Sequence, residues 1–399
     1  MTERLYYTDP SCTAFEAAVT ESFTLDGRPA VALDRTAFYP TSGGQPCDTG
    51  TLGGASVIEV VDRDDGVVAH VLDRELFAGS RVEGAIDWAR RFDHMQQHTG
   101  QHVLSSAFDR LLANRTMSFH MSAAVSTIDL LGDATPASIA AAEQEANRVV
   151  WEDHPVSIRF VPAEEAATLP LRKEPARGGV LRLIDIPGVD LSACGGTHVS
   201  RTGAIGVIAV TAWERFRGGT RLTFVCGGRA LRLFRAYRDA LAGATRLLSV
   251  VPDELPDAVE RVQRESKELR RTLKAMQEAL ATHEAARFVA EAPVVDGVRI
   301  VARAIHGWDA AGLKAIATAA ASRDSVVAAL VSSASPAVAV VACSPDVKAD
   351  AQAVLNGLVA EFGGRGGGKP SLAQGGGLDG DGTTIVAAAR AAIEGQLSR

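Results

Sequence analysis

Hydrophobic and polar residues alternate with a period of two along much of the first 85 positions, as in strands that bury one face. The runs Ser56–Val61 and Gly66–Leu72 show this pattern, and glycine and aspartate turns separate them. We therefore predict an N-terminal β-barrel-like domain over residues 1–86.

The apolar spacing then changes to that of helices. One helix is predicted from Asp87 to about Leu112 and another from Pro136 to about Trp151, with Thr135 as the N-cap of the second. Strand-like runs follow at Val156–Val161, Val180–Ile186, Ile205–Thr211 and Arg221–Cys226. Residues 87–248 are accordingly predicted as an α+β domain, and α+β is the fold class expected for the chain.

From Leu255 onward the apolar residues recur at alternating steps of four and three, which is the spacing of a heptad seam. They are Leu255, Val259, Val262, Leu269, Leu273, Met276 and Leu280, and only Ser266 interrupts the series. The pattern predicts a helical, coiled-coil-like linker over residues 249–292. Two partners fit its apolar stripe. One is a second copy of the chain, which would give a homodimer through this helix or through the C-terminal domain, and the other is the helix's own domain.

Beyond this helix, predicted strands alternate with helices, so residues 293–399 are predicted as a small α/β domain. The strands are Val298–Ile305, Val326–Ser332 and Ala337–Cys343. A glycine-rich stretch runs from Gly363 to Lys369, but the spacing is wrong for a P-loop and no Ser or Thr follows the lysine directly, which excludes ATP binding of that kind. Two interpretations stay open: a loop that approaches a sugar-phosphate backbone together with Arg365 and Lys369, or a flexible connector.

Composition narrows the class of protein further. The chain of 399 residues carries a formal net charge of −7, which argues against broad nucleic-acid binding through a basic surface. No run approaches the roughly 18–20 apolar residues of a membrane span and no signal pattern opens the chain, so we expect a cytoplasmic protein with no membrane partner. Five scattered cysteines indicate reduced thiols.

Local groups of basic residues could still hold a phosphate backbone despite the acidic balance. They comprise Arg90 and Arg91 near the start of the first predicted helix, and Arg172, Lys173 and Arg177 before Cys194. We therefore keep a nucleic-acid partner open at these positions.

Two pairs of residues carry the most specific chemistry in the chain. His98 and His102 lie four apart on the first predicted helix, and so on one face of it. Cys194 and His198 flank a Gly-Gly pair about ninety residues later. Zinc prefers such nitrogen and sulfur donors in a tetrahedron, so the two pairs together predict one zinc site.

These motifs, in this order, resemble the editing domain of alanyl-tRNA synthetases and of their free-standing alanyl-tRNA editing relatives. The matching stretches are Asp34-Arg35-Thr36, Phe38-Tyr39-Pro40, Gly43-Gly44-Gln45, His98-Thr99 with His102, and Cys194 to His198. Ala373-Gln374, beside the glycine-rich stretches, resembles the C-terminal DHHA1-type domain of the same enzymes. Because nothing before residue 30 has room for an aminoacylation core, the chain resembles the long form of the trans-acting editors.

The resemblance implies a zinc-containing hydrolase that removes serine or glycine from mischarged alanine tRNA. It implies catalytic-site roles for Thr36, Gly43, Gly44 and Gln45, with Thr36 reading the serine hydroxyl. The tRNA contacts expected with it are Arg90, Arg91, Arg365 and Lys369. Two alternatives remain open: an editing factor for threonine tRNA, whose editing domains carry similar histidine and cysteine pairs, and a non-catalytic tRNA-binding protein that zinc stabilises. A phosphoesterase is excluded, because the chain has no Asp-His-His motif.

Two histidines keep open roles. Where synthetase-embedded editing domains usually have a His-Val-x-Gln segment, this chain reads His120-Met121-Ser122-Ala123, so no role of that glutamine transfers. His94, one turn before His98, is either an outer partner of the zinc site or an exposed histidine, and we expect it to be exposed. Whether the zinc site is closed by its four protein ligands or also admits a water ligand stays open.

Overall fold

The structure is a computed structural model that describes residues 1–172 and 179–398. It consists of two compact units, Met1–Gly243 and Ala244–Arg399. The finer division at residues 86, 248 and 292 stays a prediction. Two of the basic residues named above, Lys173 and Arg177, lie outside the described residues.

The first unit begins with a closed six-stranded barrel, which confirms the predicted barrel. In chain order the strands are β1 (Glu3–Arg4), β2 (Ala14–Leu25), β3 (Arg28–Leu33), β4 (Arg35–Thr36), β5 (Gly50–Leu52), β6 (Ala55–Asp62), β7 (Val68–Leu72) and β8 (Arg81–Ile86). β1 and β4 form a separate parallel pair, and the others close the barrel in the order β2-β3-β7-β6-β5-β8. Alternate residues point inward, as in β8, where Val82 and Ile86 are buried.

Both predicted helices of the first unit are present. α1 (Trp88–Leu112) begins where the Asp87 side chain accepts a hydrogen bond from the Arg90 N–H, and α2 (Pro136–Glu152) begins at the predicted N-cap Thr135. Every residue of α1 from His94 to Phe108 is buried, although many are polar. Such a helix needs a hydrogen-bond partner for each polar side chain, and those partners define the site described below.

Two antiparallel sheets complete this unit. Their strands are β9 (Thr116–Met121), β10 (Ser126–Leu130), β11 (Ser157–Pro162), β12 (Val180–Ile186), β13 (Asp190–Ala193), β14 (Ile208–Phe216) and β15 (Gly219–Cys226). They form the sheets β14-β15-β10-β9 and β11-β12-β13, and α1 and α2 pack on the first of these. The short α3 (Ala163–Ala166) follows β11, and α4 (Gly227–Leu248) follows β15. The strand predicted from Ile205 begins only at Ile208, because Thr202–Ile205 form a 3-10 turn that ends at Gly206, with φ of +85°.

The second unit is a six-stranded sheet with helices on both faces. Its elements are α5 (Leu255–Glu291), β16 (Val294–Val295), β17 (Val298–Ile305), α6 (Ala310–Ala321), β18 (Val326–Ser332), β19 (Ala337–Cys343), α7 (Ala351–Phe362), β20 (Arg365–Lys369), β21 (Leu372–Leu378) and α8 (Gly382–Leu397). The order is β16-β17-β18-β19-β21-β20, with β17 and β18 parallel. Three strands lie at their predicted bounds. None of the helices in the described part of the chain has both the length and the apolar content to cross a bilayer.

The glycine-rich stretch is a hairpin rather than an open loop or a connector. β20 pairs with β21, and Gly366 lies opposite Gly375. A Cβ at Gly366 would lie 2.6 Å from Gly375 Cα, so glycine permits this close approach of the two strands. The irregular conformation expected for this stretch was therefore wrong, while the approach of Arg365 and Lys369 to a sugar-phosphate backbone stays a prediction.

Candidate metal centre

Four side chains that were predicted to bind zinc lie together in the first unit. His98 and His102 project from one face of α1, and Cys194 and His198 belong to the loop that follows β13. Their ligating atoms all lie within 4.8 Å of one another. The three imidazole residues are at most 4% exposed, so the cluster is screened from bulk water.

Two distances within this cluster fit a tetrahedral zinc ion. The Nε2 atoms of His98 and His198 each lie 3.4 Å from Cys194 Sγ. Zinc bonds of about 2.1 Å to nitrogen and about 2.3 Å to sulfur, at tetrahedral angles, would place such atoms about 3.6 Å apart. Three imidazoles and one thiolate are also the donor types that zinc prefers. The residues present therefore fit the metal that their spacing indicated.

A hydrogen bond at the second ring nitrogen orients each histidine. The acceptors at Nδ1 are Gln45 Oε1 for His98, Asp190 Oδ2 for His102 and Thr99 Oγ1 for His198, at 2.7, 2.7 and 3.2 Å. An acceptor at Nδ1 keeps the ring proton on that nitrogen and leaves the Nε2 lone pair free to bind a metal. All three rings are thus oriented by these contacts, and the amide and carboxylate acceptors of His98 and His102 favour the tautomer that a zinc ligand requires.

The electrostatics of Cys194 and His198 suit metal binding, whereas at His102 burial is outweighed by the Asp190 carboxylate, which raises the pKa to about 9, so that metal binding there releases a proton. Burial disfavours the Cys194 thiolate, but the imidazoles of His98 and His198 outweigh burial and hold the pKa of the thiol well below its usual range. Burial, helped by the neighbouring His98, lowers the pKa of His198 to about 3, so that ring is neutral at pH 7. A thiolate and a neutral imidazole are the protonation states in which these residues bind zinc.

A buried arginine and a glycine shape the loop that carries Cys194. Arg182 on β12 donates from Nη1 to the carbonyl oxygens of Cys194 and Gly196, at 2.6 and 3.0 Å. Its Nε donates to the carbonyl oxygen of Tyr7 at 2.9 Å. A Cβ at Gly196 would lie 2.1 Å from His98 Cε1, so only glycine lets the loop pass this close to the imidazole. This contact explains the second glycine of the Cys-Gly-Gly-Thr-His sequence.

A cavity of about 190 Å³ opens beside the cluster. It is lined by Gly43, His98, Gln101, His102, Thr116, Met117, Ser118, Phe119, Arg172, Ser192, Ala193, Cys194 and Gly195. Pockets for drug-sized ligands measure about 300–1,000 Å³, so this one suits a group the size of a single amino acid. Its wall offers hydroxyl and amide groups next to three of the four metal-binding side chains.

The predicted catalytic-site residues do not all line the cavity. Gly43 lines the cavity, and Gln45 orients His98. Gly44 has φ of +84°, and a Cβ there would lie 2.4 Å from the Phe119 carbonyl oxygen, so glycine permits close backbone packing here, and its predicted catalytic-site role stays a prediction. Thr36 does not line the cavity.

Thr36 lies fully buried beside His70 in the barrel. Its Oγ1 lies 2.8 Å from His70 Nε2 and accepts a hydrogen bond from the Phe38 N–H. Burial lowers the pKa of His70 to about 4, so the ring is neutral at pH 7 and its Nε2 can accept the threonine proton. The predicted role of Thr36 as the hydroxyl reader stays a prediction.

The residues predicted to contact tRNA differ in how accessible they are. Arg91 has no exposed surface, and it forms an ion pair with the fully buried Asp48 and donates to the carbonyl oxygen of Ala37. A phosphate cannot reach it, so its assignment to tRNA was wrong. Arg90 is half-buried and donates to the carbonyl oxygen of Cys47, whereas both charged residues of β20 are exposed.

The expectation for His94 was also wrong. His94 is 2% exposed, and its Nδ1 has no hydrogen-bond partner among the described residues. Burial lowers its pKa to about 4, so the ring is neutral. The neighbouring Asp93 forms an ion pair with Arg229 of α4. His120 on β9 is exposed.

Two residues of the site could not be found from the sequence. Asp190 is 88 residues from His102, and only the pairing of β12 with β13 brings its carboxylate under α1. Arg182 lies inside a strand whose apolar pattern gives no reason to expect a buried charge. A signal did exist for Asp190: an acidic residue four positions before Cys194 is a plausible outer partner for a histidine ligand.

Replacing Asp190 with asparagine should lower zinc affinity about 10- to 100-fold without preventing folding. The amide keeps the size of the side chain but removes the charge that holds the His102 Nδ1 proton. Competition with a fluorescent zinc chelator measures the change. Asp185→Asn on β12, whose carboxylate pairs with Arg159, is the control and should leave zinc affinity unchanged. Equal affinities for the wild type and Asp190→Asn would show that this carboxylate does not support the metal ligand.

Comparisons with known proteins give the chain two domain assignments. The profile of the threonyl and alanyl tRNA synthetase second additional domain matches residues 181–222, which include Cys194 and His198. The DHHA1 domain profile matches residues 297–395 in the second unit. The first profile thus matches part of the first unit, and the second matches part of the second unit.

Similar proteins align with nearly the whole chain. The alanine–tRNA ligase of Methanothrix thermoacetophila is 35% identical over 416 residues, which cover 100% of this chain and 44% of that protein. The alanine–tRNA ligase of Methanoculleus marisnigri is 36% identical, with 95% and 42% covered. The chain thus spans less than half the length of these relatives. The C-Ala domain of Aquifex aeolicus alanyl-tRNA synthetase shares 21% identity at a TM-score of 0.24, covering 26% of this chain and 97% of that domain.

Proposed function

The chain belongs to the family of proteins related to the editing and DHHA1 domains of alanyl-tRNA synthetases, and on this basis we propose that it is an aminoacyl-tRNA deacylase. Its substrate would be alanine tRNA wrongly charged with serine or glycine and supplied free in solution. The reaction is hydrolysis of the ester between the amino acid and the 3′-terminal ribose. The cytoplasm, where charged tRNA is used, is the proposed location.

The observation that carries this proposal is a cavity of amino-acid size directly beside a four-donor centre. An alanine-activating pocket cannot exclude the smaller glycine, and it rejects serine weakly because a hydroxyl adds little bulk. A separate hydrolytic site is needed in that situation. A cavity with hydroxyl and amide groups on its wall can distinguish a serine side chain from the methyl group of alanine.

The residues of this chain contribute position and desolvation. His98, His102, Cys194 and His198 would hold zinc, and Gln45, Thr99 and Asp190 keep the three rings aligned. When bound, zinc would supply positive charge that orients the amino group or the terminal ribose of the substrate. The buried wall around Gln101 and Ser192 excludes bulk water, so that a single water can be held against the ester carbon.

A deacylation assay on one alanine tRNA charged with serine, glycine or alanine tests the proposal. We expect the seryl ester to be hydrolysed at least about 100-fold faster than the alanyl ester, since reading one hydroxyl is worth a discrimination of this order or more. Thr36→Val should reduce the preference for serine if Thr36 reads the hydroxyl. Equal rates with and without the protein, for all three esters, would contradict the proposed function.

The same assay separates the alternatives. Hydrolysis of seryl-tRNA for threonine, with no effect on alanine tRNA, would indicate an editing factor for threonine. Binding of tRNA without hydrolysis of any ester would indicate a non-catalytic tRNA-binding protein in which zinc stabilises the fold. The profile that matches around Cys194 covers both synthetase types, whereas the aligned relatives named above are alanine–tRNA ligases.

The exposed heptad stripe of α5 supports a second part of the proposal, which is that two copies of the chain associate through this helix. Leu269, Leu273, Met276 and Leu280 are 51–69% exposed, which is unusual for large apolar residues at heptad spacing. Sedimentation equilibrium at micromolar concentration should give twice the chain mass. A Leu269→Glu, Leu273→Glu variant should be monomeric, and Glu268→Gln on the same helix should stay dimeric. A wild-type protein that sediments as a monomer would contradict this association.

A further inference from the structure

Arg172 is the only permanently charged residue on the wall of the cavity, among the lining residues that the structure describes. Its side chain is 14% exposed. Nε donates to Asp190 Oδ1 at 2.5 Å, and Nη2 lies 3.5 Å from Oδ2 of the same carboxylate. Asp190 is itself held by the Ser192 hydroxyl and by His102. The buried Asp190 carboxylate therefore holds one edge of the guanidinium in a fixed position.

One nitrogen of the Arg172 guanidinium is without a partner in the part of the chain that the structure describes. Nη1 has no hydrogen-bond partner among residues 1–172 and 179–398. A guanidinium presents five N–H groups in a rigid plane, so holding one edge against Asp190 presets the direction of the donors that remain. Such an arrangement is suited to a second anion, and phosphate oxygens match the planar fork of arginine.

The depth of the cavity indicates which part of a charged tRNA would meet this arginine. Gln101 and Ser192 are at most 6% exposed and form its deep wall, whereas Gly195 and Met117 at its edge are exposed. Arg172 is more exposed than the deep wall and so stands towards the mouth. An aminoacyl group fills the deep part, which leaves the nucleotide that carries it at the mouth.

We propose that Arg172 binds the phosphate that links the last two nucleotides of the tRNA substrate. This inference rests on the proposed function, since it assumes that the aminoacyl ester occupies the cavity. A phosphate is permanently anionic, whereas the ester carbonyl is neutral, so a guanidinium already paired with one carboxylate gains more from the phosphate. The contact would fix the 3′ end of the tRNA at the cavity and would act on binding rather than on the chemical step.

Two probes that differ by one phosphate test the inference. The first is the serine amide of 3′-amino-3′-deoxyadenosine, which cannot be hydrolysed as an ester. The second is the same compound with a 5′-methyl phosphate diester, which supplies the proposed anion alone. Calorimetric titration of the zinc-loaded full chain should show that the second probe binds about ten-fold more tightly, the effect of one charge-assisted contact. Arg172→Gln should remove this preference and leave the affinity for the first probe unchanged.

The controls separate a binding contact from a structural one. Arg159→Gln removes an arginine that pairs with Asp185 on the neighbouring strand but does not line the cavity, and it should keep the phosphate preference. Arg172→Lys keeps the charge without the planar fork and should retain part of the preference. In seryl-tRNA hydrolysis, Arg172→Gln should raise KM about ten-fold with kcat nearly unchanged.

Two results obtained with Arg172→Gln would overturn the inference. One is an equal loss of affinity for both probes in Arg172→Gln, which would place the arginine against the aminoacyl group or in the fold. The other is a phosphate preference that survives the substitution. A wild-type protein that hydrolyses seryl-tRNA but prefers neither probe also rejects the role of Arg172, while the proposed function stands. A wild-type protein that hydrolyses no ester rejects the proposed function first.

Discussion

Replacing Cys194 with alanine should reduce the zinc content from about one ion per chain to nearly none and lower seryl-tRNA hydrolysis to the uncatalysed rate. Cys194 is the one sulfur donor of the cluster, and both measured Nε2–Sγ distances converge on it. Losing an outer partner of a metal ligand costs about 10- to 100-fold in affinity, so losing the ligand itself should cost more than about 100-fold. The three imidazoles that remain would then hold zinc too weakly to survive purification.

The control for this experiment is Cys12→Ala. Cys12 is a free thiol of intermediate burial in the same unit, as Cys194 is, but it belongs to no metal-binding group among the described residues. The Cys12 variant should keep both zinc and activity. Circular dichroism should show that both variants are folded. A Cys194→Ala protein that retains one zinc ion and full hydrolysis would show that Cys194 is not a zinc ligand.

Replacing Arg91 with methionine should lower the free energy of unfolding of the first unit by about 3–5 kcal/mol. The Arg91 guanidinium and the Asp48 carboxylate are both fully buried and lie 2.5 Å apart, and Arg91 also donates to the carbonyl oxygens of Pro10 and Ala37. Without the arginine, Asp48 is left as an unpaired buried charge. The loss is large for this reason, whereas loss of an exposed ion pair costs less than about 1 kcal/mol.

Urea unfolding followed by tryptophan fluorescence measures this change. Of the four tryptophans, Trp308 alone lies in the second unit, so a Trp308→Phe background makes the signal report the first unit. The double variant Arg91→Met, Asp48→Leu removes both charges and should recover much of the lost stability. If Arg91→Met instead weakened tRNA binding and left stability unchanged, the arginine would be a tRNA contact after all.

Features that depend on local physics could be predicted from the sequence. The N-cap at Thr135 and the strand Val180–Ile186 are present where the residue patterns place them, because capping chemistry and side-chain alternation act over a few positions. The i, i+4 spacing of His98 and His102 likewise follows from helix geometry alone. That this histidine pair and the Cys194/His198 pair meet at one metal ion was a hypothesis, which rested on zinc's preference for nitrogen and sulfur donors.

Features that depend on tertiary contacts could not be predicted in this way. Arg91 lies on a helix start that resembles a basic surface, and only Asp48, 43 residues away, makes it a core residue. His94 looks like a surface histidine until the burial of α1 from His94 to Phe108 is known. The glycine-rich stretch gave no strand signal, because glycine has low strand propensity, and its pairing with β21 decides its conformation.

The zinc content and coordination of the protein test the central claim most directly. Protein purified without chelators should contain about one zinc ion per chain, and its X-ray absorption spectrum should show three nitrogen ligands at about 2.0–2.1 Å and one sulfur at about 2.3 Å. Chelation should remove the ion together with the ability to hydrolyse seryl-tRNA. A chelator-free preparation with no zinc, or with zinc that has no sulfur ligand, would contradict the convergence of His98, His102, Cys194 and His198 on one metal ion.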